Sequence, residues 1–303
     1  MRQAIRVVAK AGLRVLDWKT KQRVLEAAAS LRRSGRRNGA GGYADYSVGS
    51  VDASPKHADP AKLIDRLFRY ERALGEEIDF AGKTVLEIGA GPVLGWALVG
   101  IARGAACYHV LEPAFNPAVL DRYAAYFRTH RQWIGRVVGE VPPVDELLAS
   151  GAIRVVRAPA ARTGLPEGSV DLVLSNSVLE HVEHVDALVD ELDRVCGPDA
   201  LQYHVVDFTD HQGGADPFAH VYGHDPEELR ALYRRRGMPI NLLRLPELTE
   251  RLARRFEVEA TVLLEDASHP SVRSPEDYWR KRFTTEELGI EVAVLKLARR
   301  HAG

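Results

Sequence analysis

Four acids, four histidines and a pair of glycines stand where this chain could do chemistry. Glu87 sits in the apolar run Val85-Leu86-Glu87-Ile88, and the turn Gly89-Ala90-Gly91-Pro92 follows at once. Neither glycine carries a Cβ, so the backbone can turn tightly and approach a ligand closely. Glu112 ends a second apolar run, Tyr108-His109-Val110-Leu111, twenty-one residues after Gly91. An acid at the tip of such a strand can take both hydroxyls of a ribose. Proton transfer calls for histidine and carboxylate. His181 and His184 lie three apart, and His204, Asp207, Asp210 and His211 cluster further on. The run His-x-x-Asp-x-x-Asp-His can also be read as metal ligands. On a strand, however, His204 and Asp207 point to opposite faces, and no metal site is assigned.

The elements that must position these groups follow from periodicity. Val85 to Ile88 reads as a buried strand and Leu94 to Ala102 as the helix after it. Further strands are expected near 107–112, 153–157, 170–175 and 201–208, with helices near 117–130 and 185–195. Beyond them a helix is expected near 246–255, then strands near 257–264 and 290–297. This alternation predicts a doubly wound, mostly parallel α/β sheet. A strand, glycine turn and helix of this kind hold nucleotide-like ligands at the carboxyl edge of open sheets.

The strand Val170-Asp171-Leu172-Val173-Leu174-Ser175-Asn176 runs into Ser177-Val178-Leu179-Glu180-His181-Val182. With the Glu87–Gly91 turn and Glu112, this segment resembles the class I S-adenosylmethionine (SAM)-dependent methyltransferases, of the type 11 kind. The resemblance covers roughly Lys83 to Asp207. It implies a Rossmann-like core of seven strands ending in an antiparallel pair, with SAM as cofactor. It assigns Glu87 to the methionine end of SAM, close backbone approach to Gly89, Ala90 and Gly91, and the ribose diol to Glu112. Ser175 and Asn176 would lie near the methionine part, and Pro113 and Ala160 fall among the implied cofactor contacts. The chain departs from the family pattern at Val93, where a third glycine is usual; the next is Gly95. The stretch Ala158-Pro159-Ala160-Ala161-Arg162 also lacks the usual acid for the adenine amino group.

Methyl transfer from a sulfonium is an in-line displacement, so alignment and exclusion of water matter most. An O- or N-acceptor gains from a base, and His181, His211 and Asp207 are the catalytic candidates. His181 could equally bridge its turn as a structural residue. The expected activity is methylation of an O or N atom of a small molecule. Other SAM chemistry on the same fold, such as aminocarboxypropyl transfer or cyclisation, is one alternative. A nicotinamide-dependent oxidoreductase is another, although Gly89-x-Gly91-x-x-x-Gly95 does not match its G-x-G-x-x-G fingerprint.

The 303 residues carry 46% hydrophobic and 27% charged side chains, ordinary for a globular protein. A net charge of −1 hides an uneven distribution: residues 1–38 hold eleven Lys/Arg against two acids. This segment predicts a basic N-terminal helical extension and linker over 1–55, ahead of a SAM-binding domain over 56–303. Arg2, Arg6, Lys10 and Arg14 share one helical face, which would pack on the body or a twin subunit as a homodimer contact. No interleaved aromatics support nucleic-acid binding, and no apolar run is long enough to span a membrane. Cys107 and Cys196 have no metal or disulfide spacing and are expected as buried thiols, in keeping with a cytoplasmic protein. An insert over 209–245 would cap the acceptor. Arg244 and Arg280 are candidate anchors for an anionic acceptor.

Overall fold

The computed structural model describes residues 59–211, 216–218, 220–235 and 239–300. The expected extension over 1–55, its basic helix and its homodimer contact lie outside the described residues. Helix α1, Pro60–Leu74, opens the described chain. Asp59 caps it by accepting from the Ala61 N–H, Pro60 sits in its first turn, and Gly75 ends it in the left-handed region. Its buried face, Leu63, Ile64, Leu67 and Tyr70, recurs at helical spacing.

Seven strands among the described residues form one sheet in the order β3-β2-β1-β4-β5-β7-β6. The strands are β1 (Thr84–Ile88), β2 (Cys107–Leu111), β3 (Ile153–Val156), β4 (Val170–Asn176), β5 (Cys196–Asp207), β6 (Phe256–Glu265) and β7 (Ile290–Arg299). β1 through β5 pair in parallel, whereas β7 runs antiparallel between β5 and β6. The doubly wound, seven-stranded, mostly parallel sheet expected from the sequence is therefore present. Both faces of the central strands are covered, which explains their nearly unbroken apolar runs.

Helices α2 (Ala97–Ala102), α3 (Ala118–Arg122), α4 (Ala124–Val137) and α5 (Val144–Ala149) follow β1 and β2. With α1 they contribute to one core, where Ile64, Leu67, Trp96, Val99, Tyr108 and Ile134 meet. On the other face α6 (Val185–Val195) and α8 (Leu245–Leu252) bring Leu188, Leu192 and Leu252 against Leu86 and Val173. Cys196 lies in this second core and burial pushes its thiol up to about 12, while Cys107 is only half-buried.

A third core stands apart from the sheet. It joins the segment after β5, including α7 (Pro226–Arg235), to the β6–β7 connection with α9 (Pro270–Arg273), α10 (Asp277–Arg280) and α11 (Thr285–Leu288). Phe218, Tyr222, Leu229 and Tyr233 pack on Trp279 and Leu288. The described residues of the expected insert over 209–245 thus share a core with the β6–β7 connection.

Two helical expectations needed correction. The helix after β1 starts at Ala97 rather than Leu94. Leu94 and Gly95 both have positive φ, at 63° and 49°, so the turn runs on through Gly95. The helix expected near 117–130 is divided at Tyr123 into α3 and α4.

Candidate active site

A cavity of about 710 Å³ opens where the carboxyl ends of β1, β2, β4 and β5 converge. The strand order reverses between β1 and β4, the crevice in which open α/β sheets hold their ligands. Glu87, Gly89, Ala90, Gly91, Glu112, Pro113, Ala160 and Asn176 all line it, as do His181, Asp207 and His211.

The glycine turn is shaped from beneath by Glu87. Its Oε2 accepts from the Trp96 N–H at 2.8 Å and from the Tyr108 hydroxyl at 2.7 Å. Burial pushes this carboxyl up to about 7, against the pull of those two donors. A Cβ at Gly95 would collide with the Glu87 carboxylate. The glycine missing at Val93 is therefore answered by one two residues later, which the carboxylate requires. Gly89 has its own constraint: φ is 66° and a Cβ would lie 2.5 Å from the Val178 side chain.

Glu112 closes the opposite side of the turn. It accepts from the Gly91 N–H at 3.1 Å through Oε2 and from the Ala114 N–H at 3.0 Å through Oε1. The residue is 4% exposed, and burial raises its pKa despite these donors. Both oxygens keep a lone pair, since each carboxylate oxygen can accept twice.

At the end of β4 two neighbours part company. Asn176 lines the cavity, and its Oδ1 accepts from the Tyr70 hydroxyl of α1 at 2.7 Å. That contact places the amide Nδ2 as the remaining donor. Ser175 does not line the cavity. It is fully buried, with Oγ 2.8 Å from His204 Nδ1. His204 Nε2 meets Gln202 Oε1 at 3.1 Å, and burial lowers its pKa to about 3, so the imidazole is neutral. Alternation along the strand decides the matter: adjacent side chains face opposite sides. Ser177, the next residue, has a positive φ of 54°. A non-glycine residue there stores strain of about 1–2 kcal/mol beside the cavity.

Another wall of the cavity holds the proton-transfer candidates His181, Asp207 and His211. His211 Nε2 lies 3.7 Å from Asp207 Oδ2. Burial raises the Asp207 pKa, but His211 and the Thr209 hydroxyl and N–H outweigh it and hold the carboxyl down at about 2. The His181 and His211 rings are 4.9 Å apart, and His181 Nδ1 sits 2.9 Å from the Pro239 carbonyl. His184 is exposed and lies off this wall, because the short turn Leu179–His181 ends in extended backbone at Val182. Asp210 reaches the cavity but is spent on the cap, accepting from the His220 N–H at 2.9 Å and the Tyr233 hydroxyl at 2.6 Å.

Neither arginine proposed as an anion anchor serves as one here. Arg244 is buried, donates to the Phe208 carbonyl and the Tyr222 hydroxyl, and lies over the Phe208, Tyr222 and Trp279 rings. Arg280 pairs with Asp277 at the surface. Arg66 of α1 does line the cavity, as does Trp96. Nothing in the local pattern around Arg66 marks it, since it is one of several basic positions along that helix.

The cavity wall thus carries four carboxyl groups, Glu87, Glu112, Asp207 and Asp210, against the single guanidinium of Arg66. The fold around this cavity is Rossmann-like. Residues 86–203 match the model of the methyltransferase-domain family. This stretch is under half of the chain, and over it the sequence is similar to SAM-dependent methyltransferase domains.

No curated protein matches the chain. Among solved structures it is similar to a Haloferax volcanii methyltransferase determined with its methyltransferase activator (14% identity, 84% of this chain and 98% of that one, TM-score 0.49). It is also similar to a SAM-dependent methyltransferase of Mesorhizobium loti (17% identity, 78% and 100%, TM-score 0.48). A third is the geranyl diphosphate C-methyltransferase of Streptomyces coelicolor (13% identity, 82% and 85%, TM-score 0.43). No helix among the described residues is long and apolar enough to cross a membrane.

Proposed function

We propose that this protein is a SAM-dependent methyltransferase that transfers the SAM methyl to an oxygen or nitrogen of a small-molecule acceptor held beneath a cap formed by the third core. One observation carries the reading: a single cavity joins the glycine turn and Glu112 to the His181, Asp207 and His211 wall. SAM would lie along the turn, its ribose hydroxyls on Glu112 and its methionine end toward Asn176 and Glu87. A sulfonium and an ammonium in this acidic wall are favoured, and approach of the ammonium would draw the proton off Glu87.

The reaction needs one bond made and one broken. The acceptor's lone pair attacks the methyl carbon as the carbon–sulfur bond breaks, leaving neutral S-adenosylhomocysteine. An acceptor O–H or N–H proton would pass to His211, and the ionised Asp207 stabilises the imidazolium that results. The cap excludes water and aligns the three reacting atoms.

Incubation with methyl-labelled SAM and a metabolite extract tests the acceptor class. The expected result is label in one small molecule, released by the same protein preparation. Label confined to macromolecules would overturn the reading. Glu112→Ala should weaken SAM binding by about 1–3 kcal/mol in calorimetry, as for a lost buried hydrogen-bonded carboxylate. Unchanged affinity would remove Glu112 from the cofactor site.

A further inference from the structure

The acceptor wall brings together residues that no sequence motif joins. Glu180, His181 and His211 each offer one ligand atom, and these three atoms lie within 4.8 Å of one another. Glu180 and His181 end the turn after β4, whereas His211 follows β5, so the grouping exists only in the folded chain. Glu180 is buried, and both histidines line the cavity. We propose that these three side chains bind one divalent transition-metal ion of the zinc type at the acceptor end of the cavity, where it takes the acceptor through an oxygen atom.

Three features support the assignment. The Pro239 carbonyl can only accept, so His181 Nδ1 carries the hydrogen at 2.9 Å. A neutral His181 ring therefore places its lone pair on Nε2, and a carbonyl partner on the other nitrogen is the usual way a metal-binding histidine is oriented. The donor set, two imidazoles and one carboxylate, suits zinc, cobalt or iron rather than the all-oxygen shells of magnesium and calcium. Asp207 stands 3.7 Å from His211 and adds negative charge beside the site.

Three protein ligands leave coordination positions open. An acceptor hydroxyl bound there would lose its proton more readily, because a bound ion lowers the pKa of an oxygen it holds. With the ion in place the His211 lone pair is engaged, and the proton passes to Asp207 or to water. The ion site stands on its own geometry, while its contact with the acceptor rests on the proposed methyltransferase reading.

Chelator-treated full-length protein is titrated with Zn2+ by calorimetry and with Co2+ by its visible absorption bands. One ion per chain is expected. His181→Ala, His211→Ala and Glu180→Gln should each weaken it at least ten-fold, while His224→Ala, at an exposed position, should leave it unchanged. A parallel SAM titration checks that each variant is folded. If His211→Ala no longer takes SAM, His211→Asn replaces it and must show the same loss. No saturable Zn2+ binding, or parent-like affinity in both histidine variants, overturns the proposal. Intact SAM binding with no metal sinks the ion alone; metal binding without SAM sinks the cofactor reading alone.

Discussion

The cofactor half of the cavity and its acceptor half are built in different ways. Around the glycine turn, backbone does most of the work, and a few buried carboxyls hold it in place. Glu87 accepts from the Trp96 N–H and Glu112 from the Gly91 and Ala114 N–H groups. In the acceptor half the backbone partners come from more distant loops, with Asp210 accepting from the His220 N–H and His181 against the Pro239 carbonyl. Its cap is a knot of aromatic side chains, contributed by two segments far apart in sequence and pinned by Arg244. The first design tolerates almost no change at its glycines and can serve any acceptor. The second is a side-chain core separate from the sheet, and on the proposed reading it is where acceptor specificity would be set.

The sharpest way to break the comparison lies in the turn. Gly95→Ala would put a Cβ into the Glu87 carboxylate on a residue whose φ is 49°. Left-handed strain of about 1–2 kcal/mol adds to the disturbed Tyr108 and Trp96 hydrogen bonds, for a total of about 4 kcal/mol. Melting temperature and SAM affinity should fall together. A variant that melts like the parent and binds SAM would show that Glu87 does not shape the turn.

Arg244→Ala tests the other half. It removes donors to the Phe208 carbonyl at 2.7 Å and the Tyr222 hydroxyl at 3.2 Å, along with contact to three rings. A loss of about 3 kcal/mol is expected in chemical denaturation. SAM affinity should stay within about three-fold, a difference of well under 1 kcal/mol. Equal losses of cofactor binding and stability would mean that the two halves are one cooperative unit.

These two sites also show what the sequence could reveal. The cofactor half is legible because its residues are contiguous: strand, turn and strand tip each announce themselves by local pattern. Even there, Leu94 to Trp96 reads as helix, since the Glu87 carboxylate that ties down Trp96 comes from nine residues back. Ser175 and Asn176 are adjacent and polar, and only the register of β4 settles which one faces the cavity. The acceptor half depends on partners with no sequence proximity. Trp279 meets Tyr222, and His181 meets His211, through folding alone. Arg244 stands as a lone charge in the run Leu242-Leu243-Arg244-Leu245, and the three aromatic rings that claim it come from elsewhere in the chain.

Protonation offers a third probe of the cofactor half. Glu87 has a folded pKa raised to about 7, chiefly by burial, from an ordinary value of 4.5. Its charged form is disfavoured in the folded chain, so its contribution is fully present below pH 4.5 and is lost as pH rises through 7. The full swing is on the order of 3 kcal/mol. Glu87→Gln should remove that slope from a plot of stability against pH, with its amide oxygen still accepting from Tyr108. Saturating SAM should also flatten the slope in the parent protein, if its ammonium stabilises the carboxylate. An unchanged pH profile in Glu87→Gln would place the titrating group elsewhere.

The smallest effect concerns the seam between the halves. Tyr70 packs edge-on against Trp96 and donates to Asn176 Oδ1 at 2.7 Å, so one side chain of α1 touches the turn and orients the β4 tip. Tyr70→Phe keeps the ring and removes only the donor. The Asn176 amide is then free to turn, and its Nδ2 no longer has to face the cavity. A cost of about 1 kcal/mol follows for one neutral hydrogen bond, which is roughly five-fold in SAM affinity. Because the ring stays, thermal stability should change little, and turnover at saturating SAM should be preserved. A Tyr70→Phe variant with normal SAM affinity but slower turnover would instead tie Asn176 to the acceptor, moving the boundary between the two halves by one residue along β4.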